Sequence, residues 1–218
     1  MIRILDEQKT IMNQFVAELR DFQVQKDSMR FRRNLERVGE IMAYEISKTL
    51  EYKVKQVETP LGISEIELFE QDDIVVATIL RAGIPFHQGF LNYFDKASSA
   101  FISAYRKYSK DLTFNINIDS ISCGDLVGKT LIIADPMLAT GHSFVVAYDA
   151  LIKKAGMPKH THVAAVISSA EGVEYVRRHT DSATTTIWSA SVDQELTVKS
   201  YIIPGIGDAG DLAYGDKM

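Results

Sequence analysis

The chain has 218 residues, 46% of them hydrophobic and 24% charged, and its formal net charge is −5. This composition excludes a disordered or fibrous protein, and no apolar run approaches the roughly 18 residues that a membrane span needs. The length favours a single domain over residues 1–218, and the negative charge argues against nucleic-acid binding over the whole surface.

The first quarter of the chain has a helical pattern. Apolar residues at steps of three and four form a single stripe, which consists of Phe31, Leu35, Val38, Met42, Ile46 and Leu50. Asp27 and Ser28 stand just before this stripe and carry oxygens that can cap a helix. A weaker version of the same period runs over residues 7–22. The sequence therefore predicts two N-terminal helices.

From residue 73 onward, short apolar runs rich in β-branched residues alternate with helical segments. The runs predict strands that are buried on both faces, at 74–80, 100–105, 130–134, 162–167 and 184–188. The intervening segments predict helices at 86–94, 143–155 and 171–179. Such alternation is typical of βαβ units, so we expect an α/β fold with a mainly parallel sheet.

Residues 113–119 differ from these runs, because Phe114, Ile116 and Ile118 alternate with two asparagines. This alternation is typical of a strand with one buried and one exposed face. It predicts a hairpin arm outside the parallel core, and such an arm can pack against a second subunit. We therefore expect a homodimer or a higher homo-oligomer.

The segment Asp135–Ser143 joins a buried strand to a helix. Ligands of open α/β sheets bind at the carboxyl ends of the strands, and the free N–H groups and dipole of a helix N-terminus attract phosphate. Thr140 and Ser143 add hydroxyl donors, and Gly141 lets the backbone approach an anion closely. Asp135 can accept hydrogen bonds from sugar hydroxyls. The segment therefore predicts a sugar-phosphate site.

Other kinds of loop fit this segment less well. A Walker A loop would end in Gly-Lys-Ser or Gly-Lys-Thr, and a dinucleotide-binding loop would have spaced glycines; neither pattern is present. The simplest alternative is an ordinary connection from strand to helix, in which Ser143 serves only as the helix N-cap. The spacing of the residues alone leaves this alternative open.

The segment reads Asp135-Pro136-Met137-Leu138-Ala139-Thr140-Gly141-His142-Ser143, which resembles the phosphoribosyl pyrophosphate (PRPP) loop of uracil phosphoribosyltransferases. Other segments match that family in the same order, namely Met29–Arg32, Ala43–Glu45, Ile79–Gly83, Tyr105–Arg106, Ser189–Gln194 and Tyr201–Asp211. The resemblance covers nearly the whole chain. It implies a type I phosphoribosyltransferase-like parallel sheet flanked by helices, with N-terminal helices, a β-arm and a C-terminal base-binding hood. It also implies transfer of the 5-phosphoribosyl group of PRPP to uracil, which gives UMP and pyrophosphate.

The resemblance assigns roles to particular residues. The residues expected to be catalytic are Arg81, Arg106 and Asp208. Those expected to bind PRPP are the same three together with Asp135, Pro136, Met137, Leu138, Ala139, Thr140, Gly141, His142 and Ser143. Those expected to bind uracil are Ile202, Gly207, Asp208 and Ala209, through backbone groups that suit uracil and would be mismatched with cytosine. The implied cofactor is Mg²⁺, carried by the pyrophosphate of PRPP with no direct protein ligand.

The chain departs from the family pattern at two places. Family loops usually read Thr-Gly-Gly-Ser, whereas His142 stands in the position of the second glycine. If that position requires a positive φ, His142 is strained or the loop is reshaped. The imidazole can instead donate a hydrogen bond to phosphate, or it can simply face solvent. Residues 84–89 also differ, which affects the expected affinity and base choice more than the fold.

Two other functions stay open. The first is a phosphoribosyltransferase for another base, such as a purine or orotate. Orotate carries a carboxylate and would need an extra cation near Ile202–Asp211, where the sequence has none. A regulatory protein that binds RNA would need clustered Lys and Arg, and the densest basic stretch, Arg30–Arg33, lies among acidic neighbours. We therefore expect small-molecule substrates and neither nucleic acid nor membrane as a partner. The single cysteine, Cys123, favours a reducing compartment and thus the cytoplasm.

Overall fold

The computed structural model describes residues 1–108 and 114–216, and within these it describes no side chain of residues 105–108 and 114–116. The α-helices are α1 (Ile11–Arg20), α2 (Ser28–Ser47), α3 (Ile84–Leu91), α4 (His142–Ala155), α5 (Ala170–His179) and α6 (Ala209–Tyr214). The strands are β1 (Ile2–Ile4), β2 (Tyr52–Thr59), β3 (Gly62–Phe69), β4 (Ile74–Leu80), β5 (Ser98–Tyr108), β6 (Phe114–Ser122), β7 (Thr130–Ala134), β8 (Met137–Leu138), β9 (His160–Ser169), β10 (Thr185–Asp193), β11 (Glu195–Leu196) and β12 (Ile202–Ile203). None of the described helices is long and apolar enough to span a membrane.

The main sheet has the strand order β1-β10-β9-β7-β4-β5-β6, and β8 also pairs with β9. Every pairing in it is parallel except that between β5 and β6. The predicted mainly parallel sheet is therefore confirmed, and β4 and β7 begin and end at the predicted residues. Because the parallel strands point the same way, the loops that leave β4, β7, β9 and β10 share one edge of the sheet.

Both faces of the sheet are covered, which explains why the central strands β4 and β7 are apolar on both faces at nearly every position. One face packs against α1, α2 and α3 in a core that includes Phe31, Phe86 and Trp188. The other packs against α4 and α5 in a second core that includes Phe144 and Leu151. All five residues of β7 are buried, so this strand is held rigidly where it enters the loop at its carboxyl end.

The two predicted N-terminal helices are confirmed, with shorter bounds. In α2 the Asp27 carboxylate accepts a hydrogen bond from Arg30 N at 3.1 Å, which is the expected capping contact. The apolar stripe of α2 is buried from Phe31 to Ile46, whereas Leu50 lies beyond the end of the helix. Helix α1 begins only after Thr10, whose hydroxyl oxygen accepts from Met12 N at 3.3 Å.

The predicted hairpin strand at residues 113–119 is confirmed from Phe114 onward, while Thr113 lies outside the described residues. Strand β6 pairs antiparallel with the end of the long strand β5, beyond the last parallel pair of β4 and β5 at Ser103. A second hairpin consists of β2 and β3, which pair antiparallel with each other alone. Sequence reasoning missed this hairpin, although Tyr52–Thr59 alternates polar and apolar residues and Pro60 marks a turn.

Candidate active site

Two loops lie side by side at the carboxyl edge of the sheet. Strand β4 leads into Arg81–Gly83 and its neighbour β7 leads into Asp135–Ser143, with Thr78 aligned to Ala134 near the ends of the two strands. The buried Thr78 hydroxyl donates to the Ala134 carbonyl at 2.9 Å and ties the two strand ends together. The fold thus brings the arginine loop and the candidate phosphate loop to one place.

The first half of the phosphate loop is anchored by backbone hydrogen bonds to β9. Asp135 N donates to the Ala164 carbonyl at 3.1 Å, and the Pro136 carbonyl accepts from Val166 N at 3.1 Å and Ile167 N at 2.9 Å. Met137 and Leu138 form the short strand β8 beside β9. These residues are held by the sheet, so the part of the loop that is open to an anion is its second half, which ends at the N-terminus of α4.

Gly141 turns the chain into α4. Its φ of +82° lies in the left-handed region, and an added Cβ would stand 2.8 Å from the Gly172 carbonyl oxygen, so glycine suits this position on both counts. Helix α4 begins at His142 with no capping bond from a side chain. Ser143 is therefore the second residue of the helix, and the alternative in which it is only an N-cap is wrong. The N–H groups of this first turn have no partner within the helix, as an anion site requires.

Helix α5 supports the loop from behind. The Ser169 hydroxyl donates to the Ala139 carbonyl at 2.5 Å and accepts from Gly172 N at 2.8 Å. A Cβ added to Gly172 would lie 2.3 Å from the same Ala139 carbonyl oxygen, so helix and loop pack as closely as backbone allows. Ser169 and Gly172 position the loop, and sequence reasoning did not identify them because their contact with it depends on the packing of α5.

The strain expected at His142 is absent, because the left-handed residue is Gly141 and His142 begins the helix. The His142 side chain is exposed, and its ring stacks on Tyr175 with 4.1 Å between ring centroids. Tyr175 stacks in turn on His179 at 4.0 Å. The arrangement agrees with the alternative in which His142 faces solvent, and it adds a contact between the loop and α5.

Arg81 connects the arginine loop to the C-terminal segment. Its Nη2 donates to the Gly215 carbonyl at 2.9 Å and lies 3.5 Å from a carboxylate oxygen of Asp211. Its Nε is buried and has no hydrogen-bond partner among the described residues. A buried donor without a partner is costly, and a phosphate oxygen would satisfy it.

Arg106 lies in β5 opposite Ile116 of β6, but its side chain is outside the described part.

The C-terminal segment folds into β12, a turn and α6. Ile202 and Ala209 are buried, and Gly207 lies between them in the turn. The Asp208 carboxylate accepts from Gly210 N at 2.9 Å and from Asp211 N at 3.1 Å, so the structure shows it as the N-cap of α6. Its expected part in catalysis stays a prediction.

Comparisons with known proteins agree with this geometry. A family model described as uracil phosphoribosyltransferase matches residues 7–216. The chain belongs to the uracil phosphoribosyltransferase family. A uracil phosphoribosyltransferase of Porphyromonas gingivalis is 54% identical over 214 residues, which are 98% of each chain. One of Methanothermobacter thermautotrophicus is 41% identical over 191 residues, covering 87% of this chain and 85% of the other.

A solved structure agrees over the full length as well. The AQ2163 protein from Aquifex aeolicus is 29% identical to this chain, with a TM-score of 0.88 and complete coverage of both chains. The fold expected from the family resemblance is thus confirmed, with its N-terminal helices, β-arm and C-terminal segment. As a member of this family the chain is a phosphoribosyltransferase, and the loops at the carboxyl edge of its sheet are its candidate active site.

A partly buried ion pair supports the C-terminal segment of this phosphoribosyltransferase. Arg20 of α1 donates to both carboxylate oxygens of Asp193 at 2.8 Å, to the Ser191 hydroxyl at 3.0 Å and to the Gly205 carbonyl at 3.1 Å. Asp193 also accepts from Gly205 N at 2.9 Å. Sequence reasoning matched the segment containing Asp193 to the family but missed Arg20, since nothing local shows that α1 reaches the end of β10.

Two further arginine contacts hold the end of the chain near the site. Arg32 donates to the Ala213 carbonyl at 2.6 Å, and Arg81 holds Gly215 as described above. Burial raises the pKa of Tyr214, although the nearby charges of Arg32 and Arg81 act in the opposite direction. The described residues contain no group of three His, Cys, Asp or Glu side chains placed to hold a metal ion.

Proposed function

We propose that this phosphoribosyltransferase transfers the 5-phosphoribosyl group of PRPP to uracil and releases UMP and pyrophosphate in the cytoplasm. The observation that carries the proposal is the meeting of three parts at one sheet edge: the phosphate loop Asp135–Ser143, the Arg81 loop and the C-terminal segment that Arg81 contacts. The names of the relatives support uracil as the acceptor. Fractionation of the source cells would test the location.

In this proposal the helix N-terminus of α4 binds the 5-phosphate of PRPP, and Asp135 accepts hydrogen bonds from the ribose hydroxyls. No residue is assigned as a direct ligand of Mg²⁺, which would be carried by the pyrophosphate of PRPP and would supply positive charge there. Arg81 and Arg106 stabilise the negative charge that develops on the departing pyrophosphate. Uracil N1 then attacks C1′ from the opposite face, and positioning of the two substrates provides much of the rate enhancement.

Base choice is assigned to the backbone of Ile202, Gly207 and Ala209. Uracil presents an acceptor at O4 and a donor at N3, and cytosine reverses both. Polar backbone groups that pair with uracil would be left unpaired by cytosine inside the site, which is costly. The buried side chains of Ile202 and Ala209 support the proposal, because they fix the backbone on either side of Gly207.

The alternative function, RNA binding, has less support. The arginines of the densest basic stretch are engaged within the protein: Arg30 pairs with Glu18 at 2.7 Å, and Arg33 pairs with Glu36 at 2.7 Å. Arg32 points to the C-terminal segment, where it binds the Ala213 carbonyl. These contacts reduce the cationic surface that a phosphate backbone could use.

Pyrophosphate release should occur with PRPP, Mg²⁺ and uracil, and should be about 10²-fold slower or more with cytosine because of the mismatched hydrogen bonds. Hypoxanthine and orotate complete the comparison, and a reaction without Mg²⁺ is the control for the metal. Turnover that requires one of the other bases would refute uracil as the acceptor. Absence of turnover with every base, together with RNA binding at physiological salt, would support the alternative.

We also propose that the chain forms a homodimer or larger homo-oligomer through the β2–β3 hairpin. Apolar residues project from this arm into solvent, among them Leu61, which is fully exposed, and Ile63, which is 70% exposed. A two-stranded hairpin is only marginally stable alone, and an exposed apolar patch marks an interface. The register places the lysines of β2 opposite Leu68 and Ile66, so one face of the hairpin combines apolar side chains with positive charge.

Replacing Leu61 and Ile63 together by lysine should convert the oligomer to a monomer, since two buried apolar side chains would become buried charges at the interface. Light scattering coupled to size-exclusion chromatography measures the mass. A matched control is Val198→Lys, because Val198 is equally exposed but lies outside the hairpin. A monomeric wild-type chain, or an oligomer that the double variant leaves intact, would contradict the hairpin interface.

A further inference from the structure

A polar cavity lies at the edge of the sheet opposite to the edge that carries the active-site loops. Its volume is about 480 Å³, within the range of small-molecule sites. The cavity opens at the amino ends of the strands, and its floor contains Thr130 of β7, His160 and His162 of β9, and Thr186 of β10. The strand register pairs Thr130 with His160 and Thr186 with His162, so all four side chains project from one face.

His162 lines the cavity and can present a neutral ring N–H donor to it. The Trp188 indole N–H donates to His162 Nδ1 at 3.0 Å, so the proton of the neutral imidazole is on Nε2. Burial first, and then the charges of His160 and Arg3, lower the pKa of His162 to about 3, which keeps the ring neutral at pH 7. The side chain is only 3% exposed, and among the described residues no acceptor bonds to its Nε2. Because His162 is part of the cavity lining, a ligand in the cavity can accept from this N–H.

The charges around the cavity favour an anion near this floor. Arg3, Lys53 and Lys159 line it, and none of the three forms an ion pair within the described part of the chain. Arg3 lies 4.8 Å from the centroid of the Trp188 ring, next to His162. Carboxylates also line the cavity, and one of them, Glu70, is already paired with Lys55 at 2.8 Å.

Glu51 and Asp73 are the other two carboxylates of the lining. They belong to the side formed by the end of α2 and the start of β4, whereas Lys159 adjoins His160 on β9. The anionic part of a ligand is therefore expected on the β9 side, where cations and neutral donors meet. Hydroxyl groups of the same ligand can donate to the two carboxylates.

We propose that this cavity is a second ligand site, separate from the transfer reaction, for a small phosphate-bearing metabolite of sugar-phosphate size. The phosphate accepts from His162 Nε2–H and the Thr130 hydroxyl and is attracted by Lys159 and Arg3. The cavity is larger than a phosphate ion needs, which is why the ligand is assigned a sugar or a comparable polar group.

The indole N–H of Trp188 can report ligand binding at this site, because Trp188 is the only tryptophan of the chain and its indole N–H donates to His162. The full-length protein is titrated with inorganic phosphate and separately with ribose 5-phosphate, and the single indole N–H resonance is followed by NMR. We expect a saturable shift with both ligands and tighter binding of ribose 5-phosphate. Binding of phosphate alone would point to an anion site without a sugar subsite and would overturn the assignment of the ligand class.

Three variants test whether the shift of the indole resonance arises from binding in the cavity or in the active site. Lys159→Ala removes an exposed cation and should weaken binding about fivefold. Thr130→Val removes one hydroxyl at nearly constant shape and should also weaken it about fivefold. Ser143→Ala removes a hydroxyl from the loop that is proposed to bind the 5-phosphate of PRPP, and it should leave the titration unchanged. A titration that loses its shift in Ser143→Ala, that ignores both cavity variants, or that shows no saturable shift would overturn the proposal.

Discussion

Arg81→Ala is expected to lower kcat/KM for PRPP by about 10² to 10³, the usual cost of removing one group that stabilises developing charge. Arg81 is the cation of the loop that leaves β4, and its Nε is a buried donor with no partner among the described residues. Its Nη2 bonds to the Gly215 carbonyl, so its loss also loosens the C-terminal segment. Steady-state kinetics with PRPP varied at saturating uracil measures the effect.

Arg81→Lys separates charge from geometry at this position. Lysine keeps the positive charge but lacks the planar fork, so the variant should retain part of the lost activity and not all of it. Arg177→Ala is the matched control, since Arg177 is an exposed arginine paired only with Glu174 and should behave as wild type. Wild-type kinetics in Arg81→Ala would remove Arg81 from the mechanism.

Arg20→Ala should lower the free energy of unfolding by about 3 kcal/mol, because it leaves the Asp193 carboxylate buried without its cation. Asp193 is only 8% exposed, and both of its oxygens bond to Arg20. The same substitution frees the Gly205 carbonyl, so we also expect KM for uracil to rise more than KM for PRPP. Urea unfolding measures the first effect and steady-state kinetics the second.

The control for Arg20 is again an exposed ion pair. Arg177→Ala should change the free energy of unfolding by less than about 1 kcal/mol, as is usual for pairs at the surface. If Arg20→Ala destabilised the protein no more than this control, the ion pair of Arg20 with Asp193 would contribute little to the free energy of unfolding. Equal changes in KM for both substrates would show that Arg20 does not act through the uracil-binding segment.

The central strands were predictable because their signal is local. Strands β4 and β7 are buried on both faces, so each is a short, unbroken apolar run that ends where its loop begins. The hairpin of β2 and β3 was missed because its side chains are mostly exposed and its sequence is largely polar. The hairpin strand at residues 113–119 was predictable from Phe114 onward, because its alternation of polar and apolar residues differs from the unbroken pattern of a strand buried on both faces.

The arrangement of strand, loop and helix around Asp135–Ser143 was predictable for the same reason as the central strands, because its parts follow one another along the chain. The binding role of this loop stays a prediction. The supports of the loop were not predictable, because Ser169 and Gly172 reach Ala139 only after α5 has packed beside it. His142 shows the limit of motif matching, since the motif could not tell which of two positions takes the left-handed conformation.

The contacts that join the C-terminal segment to the rest of the site are among the longest in the chain. Arg81 and Gly215 are 134 residues apart, and Arg20 and Gly205 are 185 residues apart. Contacts of such separation carry a high entropic cost until most of the fold is in place, so they form late. The phosphate loop depends mainly on neighbouring strands and α5. Under the proposed function, a folding chain would therefore gain the ability to hold a phosphate before it can position a base, and the appearance of catalytic turnover would mark the completion of folding.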